Sequence, residues 1–238
     1  VLNSGGIPIP FARAVLKDEV VKPGEAARVF TMLASAMNCT IAEVMGLVFE
    51  CMRRNPRFFE SMVGIDMSGN GGDFLVEILS SVDPALDKLE EADVVKLDKC
   101  WAPELWDAVG LAFALVAAAL GGQYVEVESL VQGLKHTHYE VKGDVFEAPW
   151  NPSGQRGTVE CNGAGMSISD RYVFYRNRPE LVSKLLPRCL EVRLALREGK
   201  HFTLDPADFP YRTVRALTSY GDDTLKNTKS GVVFSHLD

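Results

Sequence analysis

A run that is apolar on every side leaves a chain few choices, and residues 108–120 form such a run. As a helix it has no polar face to turn toward water, so other elements must cover it all round. Its punctuation is helical. Pro103 suits the first turn, Glu104 and Asp107 sit at the positive end of the dipole, and Gly121 and Gly122 follow the last turn. A membrane span needs about 20 apolar residues, and Asp107 and the glycine pair cut this stretch short of that. The run is expected to be the buried axis of a globular core, and no membrane partner is expected.

Charge is unevenly placed around that axis. Residues 73–128 carry twelve acids against three bases, whereas residues 171–200 carry eight bases against three acids. Over all 238 residues the formal net charge is −7, which works against indiscriminate binding to nucleic acid or anionic membranes, although a local basic face can override the average. The 47% hydrophobic and 24% charged residues are enough for one large domain or two small ones. Cys39, Cys51, Cys100, Cys161 and Cys189 are odd in number, widely spaced and outside any CxxC frame, so they read as reduced thiols of a cytoplasmic protein. No basic segment followed by an apolar one opens the chain, so no secretory signal is expected.

Local patterns predict helices almost throughout. Residues 1–23, with glycines and prolines around the short apolar piece 11–16, are expected to be an extended arm. Ala26, Val29, Phe30, Leu33 and Met37 have helical spacing, and Thr40 with Glu43 forms a capping box that predicts a second helix. That helix carries the stripe Ile41, Val44, Met45, Val48, Phe49 and Met52 and ends at Arg53 and Arg54, before Pro56. The two arginines complement the helix dipole, and with Arg57 they make a three-base cluster able to touch an anion. The glycine-rich stretch 68–73 reads as a turn with Asp73 as N-cap, since it lacks phosphate-loop spacing. Asp83 and Pro84 are expected to open another helix, with the charged run 87–93 as its solvated face.

Beyond the axis, Tyr124, Val127, Val131 and Leu134 keep helical phase until His136. Residues 141–170 are expected to be the least regular part, with five glycines and with Pro149 and Pro152 around Trp150. A helix follows from Pro179, kinked or restarted at Pro187 and capped by Gly199. A last short helix is expected between Pro210 and Gly221, and then a polar tail, 222–238, with an apolar hook at Phe234. The predicted fold class is therefore mainly α: a helical bundle over 24–221 with lobes at 24–140 and 166–221, an irregular loop at 141–165, and extended N- and C-terminal arms at 1–23 and 222–238.

Lys184 with Arg188, and Arg193 with Arg197, are like-charged pairs four residues apart, costing a few tenths of a kcal/mol each unless an anion neutralises them. Bases interleaved with aromatics suit single-stranded RNA, whose phosphates pair with arginines while its bases stack. The candidate RNA-binding residues are Arg171, Tyr172, Tyr175, Arg176, Arg178, Lys184, Arg188 and Arg193. The same cations would equally suit the acidic 73–128 region. His136, His138, Glu140 and Cys161 are a separate candidate group, but no zinc-type spacing joins them, and no metal or cofactor is expected. Residues 163–167 do not form a nucleophile elbow, so no catalytic residue is assigned.

In organisation the chain resembles the coat and nucleocapsid proteins of filamentous RNA viruses, which combine a helical core, two arms and a basic groove. That resemblance implies a self-assembling structural protein, associating head to tail through its arms and coating single-stranded RNA. Two alternatives stay open: a helical interaction or regulatory module without nucleic acid, and an enzyme with its site near His136, His138 and Cys161.

Overall fold

Strand pairing replaces the expected N-terminal arm in the computed structural model, which describes residues 6–18, 20, 22–24, 28–200 and 209–232. Strand β1 (Phe11–Leu16) pairs antiparallel with β2 (Val29–Leu33), and its other edge pairs parallel with β4 (His138–Val141). The spacing that suggests a helix over 25–37 is overridden by this pairing. Thr31 and Leu33 are buried while Val29 and Met32 are exposed, the two-residue alternation of a strand. Helix α1 (Ser35–Arg54) then begins five residues ahead of the predicted capping box. Thr40 lies inside it and donates its hydroxyl to the Ala36 carbonyl at 3.1 Å.

Short α2 (Pro56–Phe59) and α3 (Gly71–Ser80) lead to β3 (Leu89–Asp93), where a helix was expected. The charged run does face water on alternate residues, but as the edge strand of a second sheet. Helix α4 (Pro103–Ala119) is the expected axis. It packs on α1, on α5 (Tyr124–Lys135), on α6 (Thr158–Arg176) and on α7 (Pro179–Arg197). Trp106, Val109, Phe113, Ala114 and Ala117 of α4 are all buried in the main core. Among the described residues no helix is long and apolar enough to cross a membrane.

Much of the expected irregular stretch is ordered. Strand β5 (Asp144–Glu147) pairs with β4, giving a four-stranded sheet in the order β2-β1-β4-β5. Helix α6 runs through Gly163 and Gly165, which serve close packing: a Cβ on Gly163 would lie 3.0 Å from Ser219 Oγ, and one on Gly165 would lie 3.2 Å from the Trp101 ring. Helix α7 continues through Pro187 without a break in its residue range.

The helix expected over 210–220 is only the single turn α8 (Tyr211–Val214). It runs into β6 (Arg215–Tyr220), and the expected polar tail contains β7 (Asp223–Thr228), the central strand of a three-stranded sheet in the order β3-β7-β6. The apolar hook at Phe234 lies outside the described residues. The mainly α bundle with two arms is thus corrected to a mixed fold, in which two sheets flank a helical core.

Beneath the second sheet lies a buried ionic cluster. Asp170 of α6 accepts hydrogen bonds from Arg215 Nε (2.9 Å) and Arg215 Nη2 (3.1 Å), from Lys226 Nζ (2.8 Å) and from the Tyr211 hydroxyl (2.7 Å). Arg215 reaches on to Glu90 of β3 at 3.1 Å. One carboxylate therefore ties β6 and β7 to α6, and through Arg215 to β3.

Candidate active site

The sheet β3-β7-β6 brings three acids, Asp93, Asp222 and Asp223, to one end. Gly221 and Asp222 form the two-residue connection between β6 and β7, with Gly221 at φ +67°, as the first central position of a hairpin turn requires. Because β3 is antiparallel to β7, its last residue, Asp93, lies opposite Asp223 at that same end. From Asp93 the chain passes Lys96, at φ +57°, into a short 3-10 turn at Leu97–Lys99 that carries Asp98. Asp98 and Asp222 line one cavity of about 880 Å³, within the size range of small-ligand sites.

The segment 151–154 closes the cavity. The Asn151 amide donates to the Asp98 carbonyl at 2.7 Å, and the Gly154 amide donates to the Thr31 carbonyl at 2.8 Å. Ser153 Oγ accepts from the Thr31 amide at 3.0 Å. These bonds hold β2 against the loop and place Lys17 and Arg28, at the adjoining ends of β1 and β2, on the cavity wall beside Lys96, Lys99 and Ser153. Lys99 lies 3.5 Å from the Asp98 carboxylate.

Asn162 of α6 completes the wall, and chemistry fixes its orientation. Trp101 Nε1 can only donate, so the atom 3.2 Å from it must be the amide oxygen of Asn162. Asn151 Nδ2 donates to that same oxygen at 2.7 Å and is itself steadied by Gln155. The amide nitrogen of Asn162 is left as a donor for the cavity. The cavity is therefore lined by two carboxylates, four cationic side chains, of which Lys99 pairs with Asp98, and an oriented amide donor. Carboxylates that line a cavity without forming a full protein cage are compatible with Mg²⁺, which is commonly held by one or two carboxylates plus the phosphates of a substrate.

The residues singled out from the sequence lie elsewhere. Arg171 is turned inward, its guanidinium 2.7 and 2.9 Å from the two Glu60 carboxylate oxygens and over the Tyr211 ring. Tyr172 and Arg176 are exposed, and Tyr175 packs edge-on to Phe174 at 5.0 Å. Arg178 lies 3.9 Å over the Phe174 ring. On α7, Lys184 is exposed, Arg188 is 3.7 Å from Glu191, and Arg193 and Arg197 both reach Glu128 at 3.6 Å. Those last two pairs join the basic segment to the acidic 73–128 region. None of these residues lines the cavity of Asp98 and Asp222.

His136, His138, Glu140 and Cys161 do not converge. His136 Nδ1 is 2.6 Å from Glu147, Glu140 accepts from Arg13 at 2.8 Å, and His138 pairs in register with Phe11 and Glu147. Cys161 is 1% exposed within the main core, where burial and then Glu160 push its thiol pKa far up, away from the reactive thiolate. Among the described residues no group of three or more His, Cys, Asp or Glu side chains is placed to hold a metal ion.

Asp98, Asp222 and the bases that line the same cavity were missed from the sequence. The available signal was the dipeptide Gly221-Asp222, a two-residue hairpin-turn signature that puts an acid at the tip, although the run after it, 223–228, is half Asp, Lys and Asn.

No protein-family model and no curated protein sequence matches the chain. The fold is similar to the solved structure of the Sicinivirus 3Dpol RNA dependent RNA polymerase, with a TM-score of 0.58 and 17% sequence identity over 95% of this chain. The aligned region is 42% of that polymerase, so this chain spans less than half of its length. The likeness is one of fold, and it overturns the coat or nucleocapsid reading, which required a helical bundle with free arms; the chain has instead a polymerase-like mixed architecture.

Proposed function

We propose that this chain is the catalytic portion of an RNA-dependent RNA polymerase, joining a ribonucleotide to a growing strand with release of pyrophosphate. The observation that carries the reading is that Asp98 and Asp222, from separate elements, line one cavity together with Lys17, Arg28, Lys96 and Lys99. The polymerase-like fold supports it. Mg²⁺ held there would neutralise the phosphates and orient them for in-line displacement.

Asp98 and Asp222 would provide oxygen ligands for that ion. Lys17, Arg28, Lys96 and Lys99 offset the charge of a triphosphate, binding it electrostatically before any bond changes. Asn162, oriented by Trp101 and Asn151, presents an N–H donor to the body of the nucleotide. The packing of Ser153 and Gly154 against Thr31 keeps the cationic wall in register with the acids.

The test is incorporation of labelled UTP on a primed polyadenylate template with Mg²⁺, alongside Mn²⁺ binding followed by electron paramagnetic resonance. Asp222→Asn should lower incorporation by about 10²-fold or more, on the scale seen when one electrostatic partner of a transition state is removed, and should weaken Mn²⁺ binding. Wild-type incorporation and Mn²⁺ affinity in that variant would exclude the assignment.

A further inference from the structure

We infer that the arginine-lined cavity between the end of α1 and the start of α3 is a second binding site, for a segment of single-stranded RNA. It has a volume of about 820 Å³ and shares no lining residue with the cavity of Asp98 and Asp222. Its walls carry Arg53, Arg54, Arg57 and Arg212 against one acid, Asp66. The Asp66 carboxylate is already engaged by the Ser68 amide at 2.9 Å and the Ser68 hydroxyl at 2.6 Å.

Two of the arginines, Arg54 and Arg57, are available at modest cost, whereas Arg53 is held by buried Glu160 at 2.9 Å and Arg212 by the Phe58 carbonyl and by Glu60. Arg54 and Arg57 are 76% and 55% exposed, and their partners Glu50 and Glu77 are also open to water. Such exposed pairs contribute little to stability, so a phosphate can replace or join them. The amino end of α3 opens on the same cavity, with Asn70 making no side-chain cap, and Asp73 in that first turn offsets part of the field of its amides, so the arginines carry the site's positive charge.

Aromatic rings stand among these charges. Phe58 is 63% exposed, with the Arg212 guanidinium 5.0 Å from its ring centre, and Arg57 lies 6.0 Å over Phe74. An exposed ring flanked by arginines gives a base a face to stack on while its phosphates meet the guanidinium groups, the combination that favours a flexible single strand over an inorganic anion. The site stands whether or not the other cavity binds nucleotides.

The experiment measures fluorescence anisotropy of labelled oligouridylate with the full chain, between about 50 and 200 mM salt, the range in which phosphate contacts are most visible. Arg54→Ala with Arg57→Ala should flatten the slope of log affinity against log salt by about 1.4, for two single-strand phosphate contacts. Phe58→Ala should weaken binding about tenfold with the slope kept. Both effects should persist in a Lys17→Ala, Arg28→Ala background, which separates this site from the catalytic cavity. Circular dichroism shows whether each variant is folded, and Arg54→Lys with Arg57→Lys should restore most of the slope. Unchanged affinity and slope in the Arg54/Arg57 and Phe58 variants would overturn the assignment. Displacement of the strand by ADP as effectively as by unlabelled oligouridylate would overturn it too, in favour of a mononucleotide.

Discussion

Asp170, with a side chain 1% exposed, holds two cations and a hydroxyl, and its removal is the most informative single change in the scaffold. Burial alone would raise its pKa, but the bonds and charges of Arg215 and Lys226 outweigh that and hold it below the usual carboxylate range. Asp170→Asn leaves both cations buried beside a neutral group, a change that typically costs about 3–5 kcal/mol. A group whose native pKa is depressed stabilises the fold above its unfolded pKa, about 3.9 for Asp, and loses that contribution as pH falls toward the native value. The stability gap between wild type and Asp170→Asn, measured by urea unfolding, should therefore be constant from about pH 5 to 8 and shrink below about pH 4. A gap that does not narrow in acid would mean that the carboxylate charge is not what holds the cluster. Nothing in the sequence distinguished Arg171 from Arg215. Both are arginines near aromatic residues, and only the fold shows that one is clamped by Glu60 and the other by Asp170.

At the scale of elements, helices with a strong apolar period were legible and strands were not. Helices α4 and α5 fall where apolar spacing and end signals put them, because their burial comes from one long contiguous stretch. Strands β1, β2 and β3 have five or six residues each; β2 pairs with its neighbour β1, but β1 also depends on β4 and β3 on β7, both distant in sequence. Short apolar runs carry helix and strand spacing equally well, so only the partner decides. The site was obscured for the same reason: dividing the chain after Gly221 separates the two halves of the β6–β7 hairpin, and Asp222 then reads as the start of a tail. The start of α6 gives an element-scale prediction. Gly157 has φ +89°, and a Cβ there would lie 2.2 Å from the Phe49 ring. Gly157→Ala should cost about 1–3 kcal/mol from overpacking, with a further contribution of about 1–3 kcal/mol from the left-handed backbone. Phe49→Leu should recover part of the overpacking loss, visible as coupling in a double-mutant cycle by chemical denaturation. Purely additive costs would show that the backbone, not the ring, resists the side chain.

For the whole molecule, the arrangement of the cavity makes folding and ligand binding one problem. Lys17 and Arg28 adjoin the four-stranded sheet, Asp222 lies in the turn of the three-stranded one, and Asp98 and Asn162 lie on the 3-10 turn after β3 and on α6. A ligand that meets both the bases and the acids ties together segments that otherwise communicate through the Thr31–Ser153 bonds and the packing of α4 and α6. Binding to the native state alone stabilises it by RT ln(1 + [L]/Kd), about 2.7 kcal/mol at a hundredfold excess over Kd. For a domain of this size each kcal/mol moves Tm by about 2–4 °C, so saturating GTP with Mn²⁺ should raise Tm by about 5–10 °C. GTP or Mn²⁺ alone should give a smaller shift, since each meets only one wall. Asp222→Asn should remove most of the combined shift, and Lys17→Ala with Arg28→Ala should do the same although those residues lie on the other sheet. If the acid variant loses the shift and the base variant keeps it, the ligand is a metal complex held by Asp98 and Asp222 alone, and the cationic wall serves another part of the molecule's chemistry.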